Sequence, residues 1–304
     1  MREIFYLVKR NVRLFVRDYG AVFFSVLSML IVLALMVVFL GSMNSENLVD
    51  MLAEFGGERD TLTDKKNASY LIQVWTLSGI LLVNAVTVTL TVMGNMVEDE
   101  IKNRLASFYT APISRIKISL GYIFSAWFIG VFMCMLTLVV GEIYMLLCHH
   151  PLLSPTDWLK LFFMVVLNVF VYACMAYLLA LFVHSAGAWS GLLTVIGTLI
   201  GFVGAIYLPM SMLPKGVAKV LKCLPMLHGA AMMREVCTGD AIAKTFAGLP
   251  EIAGDSFREQ MGISIIIDGR AVSLWQQVLF LLFCGIMAAG LAFFVTRRRR
   301  MRNC

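Results

Sequence analysis

LFFMVVLNVFVYACMAYLLALFVHSAGAWSGLLTVIGTLIGFVGAIYLPMSMLP, the run from Leu161 to Pro214, contains no Asp, Glu, Lys or Arg. It is too long for one membrane helix, because about 20 residues rising 1.5 Å each already cross a hydrocarbon core of roughly 30 Å. A break at His184-Ser185-Ala186-Gly187 divides it into two spans joined by a short turn.

Other charge-free runs flank this one. Between Asp18 and Glu46 a first span reads from Ala21 to Gly41, and between Lys66 and Glu98 a second from about Leu71 to Gly94. A third follows Lys117, from Ile118 to about Leu147, with one acid, Glu142, near its far end. The last runs from Leu274 to Thr296 and is closed by Arg297, Arg298, Arg299 and Arg300. The composition agrees. The 304 residues are 60% hydrophobic and 14% charged, with a mean hydropathy of +0.84, whereas a soluble domain carries about 25% charge. Too few polar side chains remain to cover a water-facing surface, so lipid must solvate much of the chain. The expected fold is an all-α integral membrane protein with six transmembrane helices.

An even number of spans puts both termini on one side, and short basic flanks decide which. The first 19 residues carry Arg2, Lys9, Arg10, Arg13 and Arg17 against two acids, and the tail after Thr296 has five arginines and no acid. Ser42 to Tyr70 holds six acids and three bases. Both termini are therefore expected in the cytoplasm. The amino end does not read as a cleaved signal, its apolar run being longer than a signal-peptide core. Instead Arg2, Tyr6, Lys9, Arg13 and Arg17 recur on one helical face, opposed by Ile4, Phe5, Val8, Val12 and Phe15. Two readings stand: an amphipathic helix in the headgroup plane, or a flank that only obeys the charge rule. The expected organisation is an interfacial helix over 1–19, spans one to five over 20–208, an extracytoplasmic loop over 209–273, and span six with its basic tail over 274–304.

The link between spans two and three has its own character. Glu98-Asp99-Glu100 suits a helix amino end, Ile101, Leu105 and Phe108 fall on one face beyond it, and Pro112 stops the helix at or before Ala111. That apolar face lies either on the bilayer or on a partner.

In its order of parts the chain resembles the ABC-2 type permeases, the membrane subunits of a class of ATP-binding-cassette exporters. The matching pieces are the basic start ending in Arg17-Asp18-Tyr19, the acidic and Pro-terminated stretch from Glu98 to Pro112, and the proline-marked segment from Pro209 to Glu235 with its short re-entrant helices. Asn103 stands where the family often has Gly, a change that Asn tolerates because it accepts left-handed backbone. The resemblance implies that Glu98 to Ala111 is a coupling helix docking into an ATPase subunit. Glu98, Asp99 and Glu100 would open it, Ile101, Leu105, Phe108 and Tyr109 would anchor it, and Lys102 and Arg104 would pair at its rim. It also implies two permeases and two ATPases, a homodimer or a related partner permease, ATP and Mg bound by the ATPase, and residence in a bacterial plasma membrane. The function so implied is outward transport of an amphipathic small molecule such as a drug, an antibiotic or a peptide-like compound, with lipid-linked glycan or lipid as the alternative cargo.

No site of ATP hydrolysis is expected in this chain. Gly239-Asp240-Ala241-Ile242-Ala243-Lys244-Thr245 lacks the second glycine of a phosphate loop and sets its lysine one residue early. No hydrolytic or zinc motif occurs, so the chain is not read as an enzyme. Span two carries a polar row, Gln73, Thr76, Asn84, Thr87, Thr91 and Asn95. Asn84, Thr87 and Thr91, with Glu142 from span three, are candidates to line a translocation path, and packing of a helix seam is the competing reading. Span five holds Gly187, Gly191, Gly197, Gly201 and Gly204, which allow close helix approach. Of the seven cysteines, Cys223 and Cys237 share the outward loop, as a disulfide or as free thiols. An ion-coupled transporter would show midplane ionisable groups and repeated halves, and neither is found. A membrane sensor would have to use Asp240 to Arg270, where Ile263 to Ile267 and Asp268-Gly269 suggest a strand and turn.

Overall fold

The computed structural model describes residues 2–35, 41–54, 60–105, 113–267 and 269–302. Its helices are α1 (Arg2–Arg17), α2 (Tyr19–Leu35), α3 (Gly41–Glu54), α4 (Thr61–Ile101), α5 (Arg115–Leu147), α6 (Pro155–Ala180) and α7 (Ala186–Val203), then α8 (Lys215–Leu221), α9 (Pro225–Thr245), α10 (Glu251–Gln260) and α11 (Leu274–Arg302). A two-stranded antiparallel hairpin, β1 (Ile266–Ile267) and β2 (Arg270–Ala271), precedes α11, with Ile266 opposite Ala271. Among the described residues five helices, α4, α5, α6, α7 and α11, are long and apolar enough to cross a membrane. The expected first span is described as far as Leu35, through the 17-residue α2, and residues 36–40 lie outside the described segments.

Helix α4 is the axis of the fold. Asp60 starts it, accepting the Leu62 N–H at 3.1 Å and the Thr63 hydroxyl at 2.6 Å, and the helix then continues for 41 residues. At 1.5 Å per residue that is about 60 Å, twice the hydrocarbon thickness. It therefore extends well past both ends of the expected Leu71–Gly94 span. Through the bilayer region its side chains are buried nearly all round, because α5, α6, α7 and α9 surround it. Its mostly apolar sequence, with Thr and Asn interspersed, suits a helix that has neighbours on every side. At Gly130 of α5 the chains come close enough that a Cβ there would sit 2.6 Å from Val169 and 3.2 Å from Thr89. Only glycine lets α4, α5 and α6 meet at that point.

The uncharged run from Leu161 divides where the sequence suggests. Helix α6 ends at Ala180, and Ser185 caps α7 by accepting the Ala188 N–H at 3.2 Å. Beyond α7 the segment expected as an extracytoplasmic loop with short re-entrant helices is largely helical, through α8, α9 and α10. Its α9 has 21 residues and is buried against α4 and α6. The Gly239 to Thr245 segment lies within α9, and a helix interior cannot wrap a phosphate.

One buried cation holds this region to α4. Arg234 of α9, fully buried, donates to the carbonyls of Gly204 (2.7 Å) and Ala205 (2.9 Å) at the end of α7, and to that of Gly262 (3.1 Å) just past α10. Its guanidinium also lies 4.8 Å from the centre of the Trp75 ring of α4, whose indole N–H donates to the Met261 carbonyl at 3.0 Å. Carbonyls left over at two helix C-termini thus share one positive charge, the sign that the helix dipole favours there. Truncating Arg234 strands three buried carbonyls, so Arg234→Ala should cost about 3 kcal/mol or more, and Trp75→Phe, which strands one, about 1–3 kcal/mol. Thermal unfolding in detergent should rank wild type above Trp75→Phe and Trp75→Phe above Arg234→Ala. Equal melting of Arg234→Ala and wild type would remove the clamp.

Candidate functional site

The acidic triplet Glu98-Asp99-Glu100 forms the last turn of α4 and does not open a separate helix. Helix α4 stops at Ile101, the Lys102 N–H closes it onto the Glu98 carbonyl at 2.9 Å, and Asn103 turns the chain with φ of 54°. Asn is among the few residues with a side chain that take this backbone readily. Arg104 and Leu105 are helical again, and residues 106–112, with Phe108, Tyr109 and Ala111 among them, lie outside the described segments. The expected continuous helix from Glu98 is therefore broken at Lys102-Asn103.

Three carboxylates at a helix C-terminus oppose the dipole, so each needs compensation. Asp99, 1% exposed, has the most. Arg10 of α1 grips it with a two-pronged pair, Nη1 to Oδ2 at 2.7 Å and Nη2 to Oδ1 at 2.8 Å. The Tyr122 hydroxyl of α5 donates to Oδ2 at 2.6 Å, and Arg104 adds a longer contact of 3.4 Å. Glu98 pairs with Lys102 one turn on, and Glu100 lies 3.2 Å from His184 in the α6–α7 turn. Asp99 in turn holds the Arg10 guanidinium above its usual pKa range, outweighing the opposite effect of burial.

Helix α1 is thereby docked. Asn11 donates to Ser125 at 3.0 Å, Glu3 pairs with Lys117 at 2.5 Å, and Leu7 packs directly on Gly121. Its inward face is Leu7, Asn11 and Phe15, while Phe5 and Tyr6 are exposed. The apolar face expected from Ile4, Phe5, Val8, Val12 and Phe15 is rotated, because Asn11 and Arg10 find polar partners on α5 and α4. The signal was present in the i, i+4 spacing of Leu7, Asn11 and Phe15, with an amide in the middle of an apolar row. Arg2, Lys9, Arg13 and Arg17 remain exposed.

Of the expected partner-facing residues, Ile101 is 41% exposed and Lys102 and Arg104 are exposed. Leu105 is 7% exposed and belongs to this chain's own core. After the left-handed turn at Asn103 its side chain enters the packing beneath α4, so it is not presented to a partner. The two basic residues expected at the rim are engaged within the chain, with Glu98 and Asp99.

A family model described as ABC-2 family transporter protein matches residues 58–296, most of the chain. The chain belongs to this family. No curated protein sequence matches it significantly. As an ABC-2 permease it is a multi-pass membrane protein and a transport component, and it implies an ABC-type ATPase partner. The matched region begins just before α4, so Arg10 reaches the family's core from outside it.

The candidate path residues of the permease do not converge. Asn84 is 5% exposed and donates to the Thr137 hydroxyl and, at 3.4 Å, to the Met133 carbonyl, pinning α4 to α5. The Thr87 and Thr91 hydroxyls bond back to the Val83 and Thr87 carbonyls at 2.8 and 2.9 Å. Within the subunit Asn84 thus links two helices, while the two threonine hydroxyls are satisfied on their own helix. Glu142 is apart from it, half-buried on the wall of a cavity of about 690 Å³ lined mainly by Val139, Ile143, Leu146, Trp158 and Phe162.

The cysteine pair also separates. Cys223 is exposed, Cys237 is buried, and both are free thiols. Cys237 lies 12 residues along α9 from Pro225, or about 18 Å of helix, and the two-residue step back to Cys223 cannot close that to the ~6 Å a disulfide needs. The disulfide reading is therefore set aside. Mass spectrometry of unreduced, denatured permease from an aerated culture should recover both as alkylated thiols, and a joined peptide pair would contradict the α9 geometry. Arg10→Gln leaves the buried Asp99 carboxylate without its main partner and should destabilise the permease by about 3–5 kcal/mol. Adding Asp99→Asn should restore part of that loss, as a double-mutant cycle of melting temperatures would show. Strict additivity would mean that the two residues do not act together.

Proposed function

We propose that the permease is the membrane half of an ATP-driven exporter of the bacterial plasma membrane, with six spans, both termini cytoplasmic, and ATP hydrolysed in separate subunits docked beneath it. The observation that carries this reading is the anchorage of Asp99. The chain leaves α4 toward residues 106–112 at the point where α1, α5 and the α6–α7 turn are tied to that helix. A push on the segment after Asn103 is therefore felt by a rigid helix. From Asp99 to Trp75 that helix is continuous for about 36 Å, and Trp75 is locked into the outer region through Met261 and Arg234. Such a rod can convert closure of an ATPase pair into movement of the outward side.

Two features support the rest. Gly187, Gly191 and Gly197 of α7 have open space where a Cβ would stand, and Val195 and Leu199 beside them are about half exposed. This suits a second permease copy packed closely along α7. The apolar cavity with a single carboxylate at Glu142 suits an amphipathic small molecule as cargo, its apolar body on the wall and any positive charge toward the acid.

With Leu105 buried in the chain, ATPase docking is assigned to Ile101 and Phe108. Truncating two interface anchors at about 2 kcal/mol each should weaken docking by on the order of 100-fold or more. Ile101→Ala with Phe108→Ala is expected to lose the ATPase on co-purification and to lose permease-dependent ATP hydrolysis in liposomes, at an unchanged melting temperature. Retention of both would leave this segment on lipid and remove the mechanical link.

A further inference from the structure

Helix α11 packs chiefly on α6 and leaves a cleft of about 750 Å³ between its own end and the start of α5. Arg115 from the start of α5 and Arg297 from α11 both line it, with the hydroxyl residues Ser114 and Thr296 next to them in the chain and Phe293 and Ile116 as apolar wall. Among the described residues that line it none is acidic. Arg297 is the first charge beyond the run from Leu274, and Arg115, together with Lys117, precedes the run that begins at Ile118. The cleft thus straddles the level where an apolar span meets its charged flank, at the same pole of the molecule as Asp99 and Lys117.

We infer that this cleft is a binding site for an anionic phospholipid, with the phosphate held between Arg115 and Arg297 and an acyl chain laid along Phe293 and Ile116. Each part of the cleft suits one part of that molecule. Guanidinium forks match phosphate oxygens in pairs, and hydroxyls add donors to oxygens left over. The apolar wall is continuous with the bilayer-facing side of the helix, Ile116 being 56% exposed, so the ligand must carry a lipid tail as well as a charge. Basic clefts between spans at the cytoplasmic surface meet anionic headgroups at high local concentration, and the arginine run that starts at Arg297 strengthens the attraction. A lipid seated there would tie α11 to α5, next to the Glu3–Lys117 pair that tethers α1.

The test uses full-length permease and equimolar phosphatidylglycerol and phosphatidylcholine. Native mass spectrometry should show phosphatidylglycerol retained on the wild type, and retention reduced tenfold or more in Arg115→Gln with Arg297→Gln. Arg2→Gln with Arg17→Gln removes the same charge from exposed positions on α1 and should leave retention within twofold of wild type. Equal losses in the two double variants, or equal retention of both lipids by the wild type, would reduce the effect to general surface charge and overturn the site. A second measurement needs no variant. Phosphatidylglycerol with a photoreactive acyl chain should label wild-type peptides containing residues 113–116 or 293–297, and labelling confined to other peptides would equally overturn it.

Discussion

A carboxylate buried at the wrong end of a helix dipole governs this molecule. Asp99 is shielded from water at the C-terminus of α4, where partial negative charge already gathers, and it is held there by a guanidinium fork and a phenol from two other helices. Removing water from that charge is tolerable only while Arg10 and Tyr122 stay in place. Helix α1 is therefore part of the folded body, with its inward face set by Leu7, Asn11 and Phe15.

The same logic recurs with opposite sign around Trp75. Arg234 is buried among the carbonyl ends of α7 and the turn after α10, where its charge suits the dipoles, and Trp75 presents an aromatic face to it. Both sites grip α4, one near each end. The helix between them is buried almost throughout and has no glycine hinge backed by free space: Gly79 and Gly94 each sit within 3.0 Å, from a virtual Cβ, of Ile206 and Trp189. A helix so packed has no evident hinge, which suits the proposed drive from one face of the membrane.

The polar groups inside the bilayer region fit this division. Asn84 and Thr137 bond across α4 and α5, Ser119 and Tyr177 lie 2.6 Å apart across α5 and α6, and the threonines return their hydroxyls to their own helix. Each satisfies a donor that lipid could not. Asn84 of span two thus serves cohesion within the subunit, and the clefts that hold Glu142 and Arg297 are lined by other residues.

How much of this was legible in the chain follows from the range of each force. Lipid solvation acts on whole runs of residues, so the charge-free stretches, the break near His184, the basic flanks and the order of parts could be read directly, and with them the family. The hairpin before α11 and the tolerance of Asn103 for a left-handed turn are local backbone preferences and were equally open to reading. The role of Glu98-Asp99-Glu100 was not. Acids favour a helix start in isolation, and only ion pairs and hydrogen bonds with residues 10, 122 and 184 reverse that preference. The inward turn of Leu105, the rotation of α1 and the clamp around Arg234 have the same origin. In each, a short-range interaction between distant parts of the chain outweighed a local rule, because buried charges and polar groups must find partners wherever the packed helices bring them. Sequence alone thus determined that the chain crosses a membrane and which transporter family it belongs to, while tertiary structure decided which residues stay exposed and which hold the helices together.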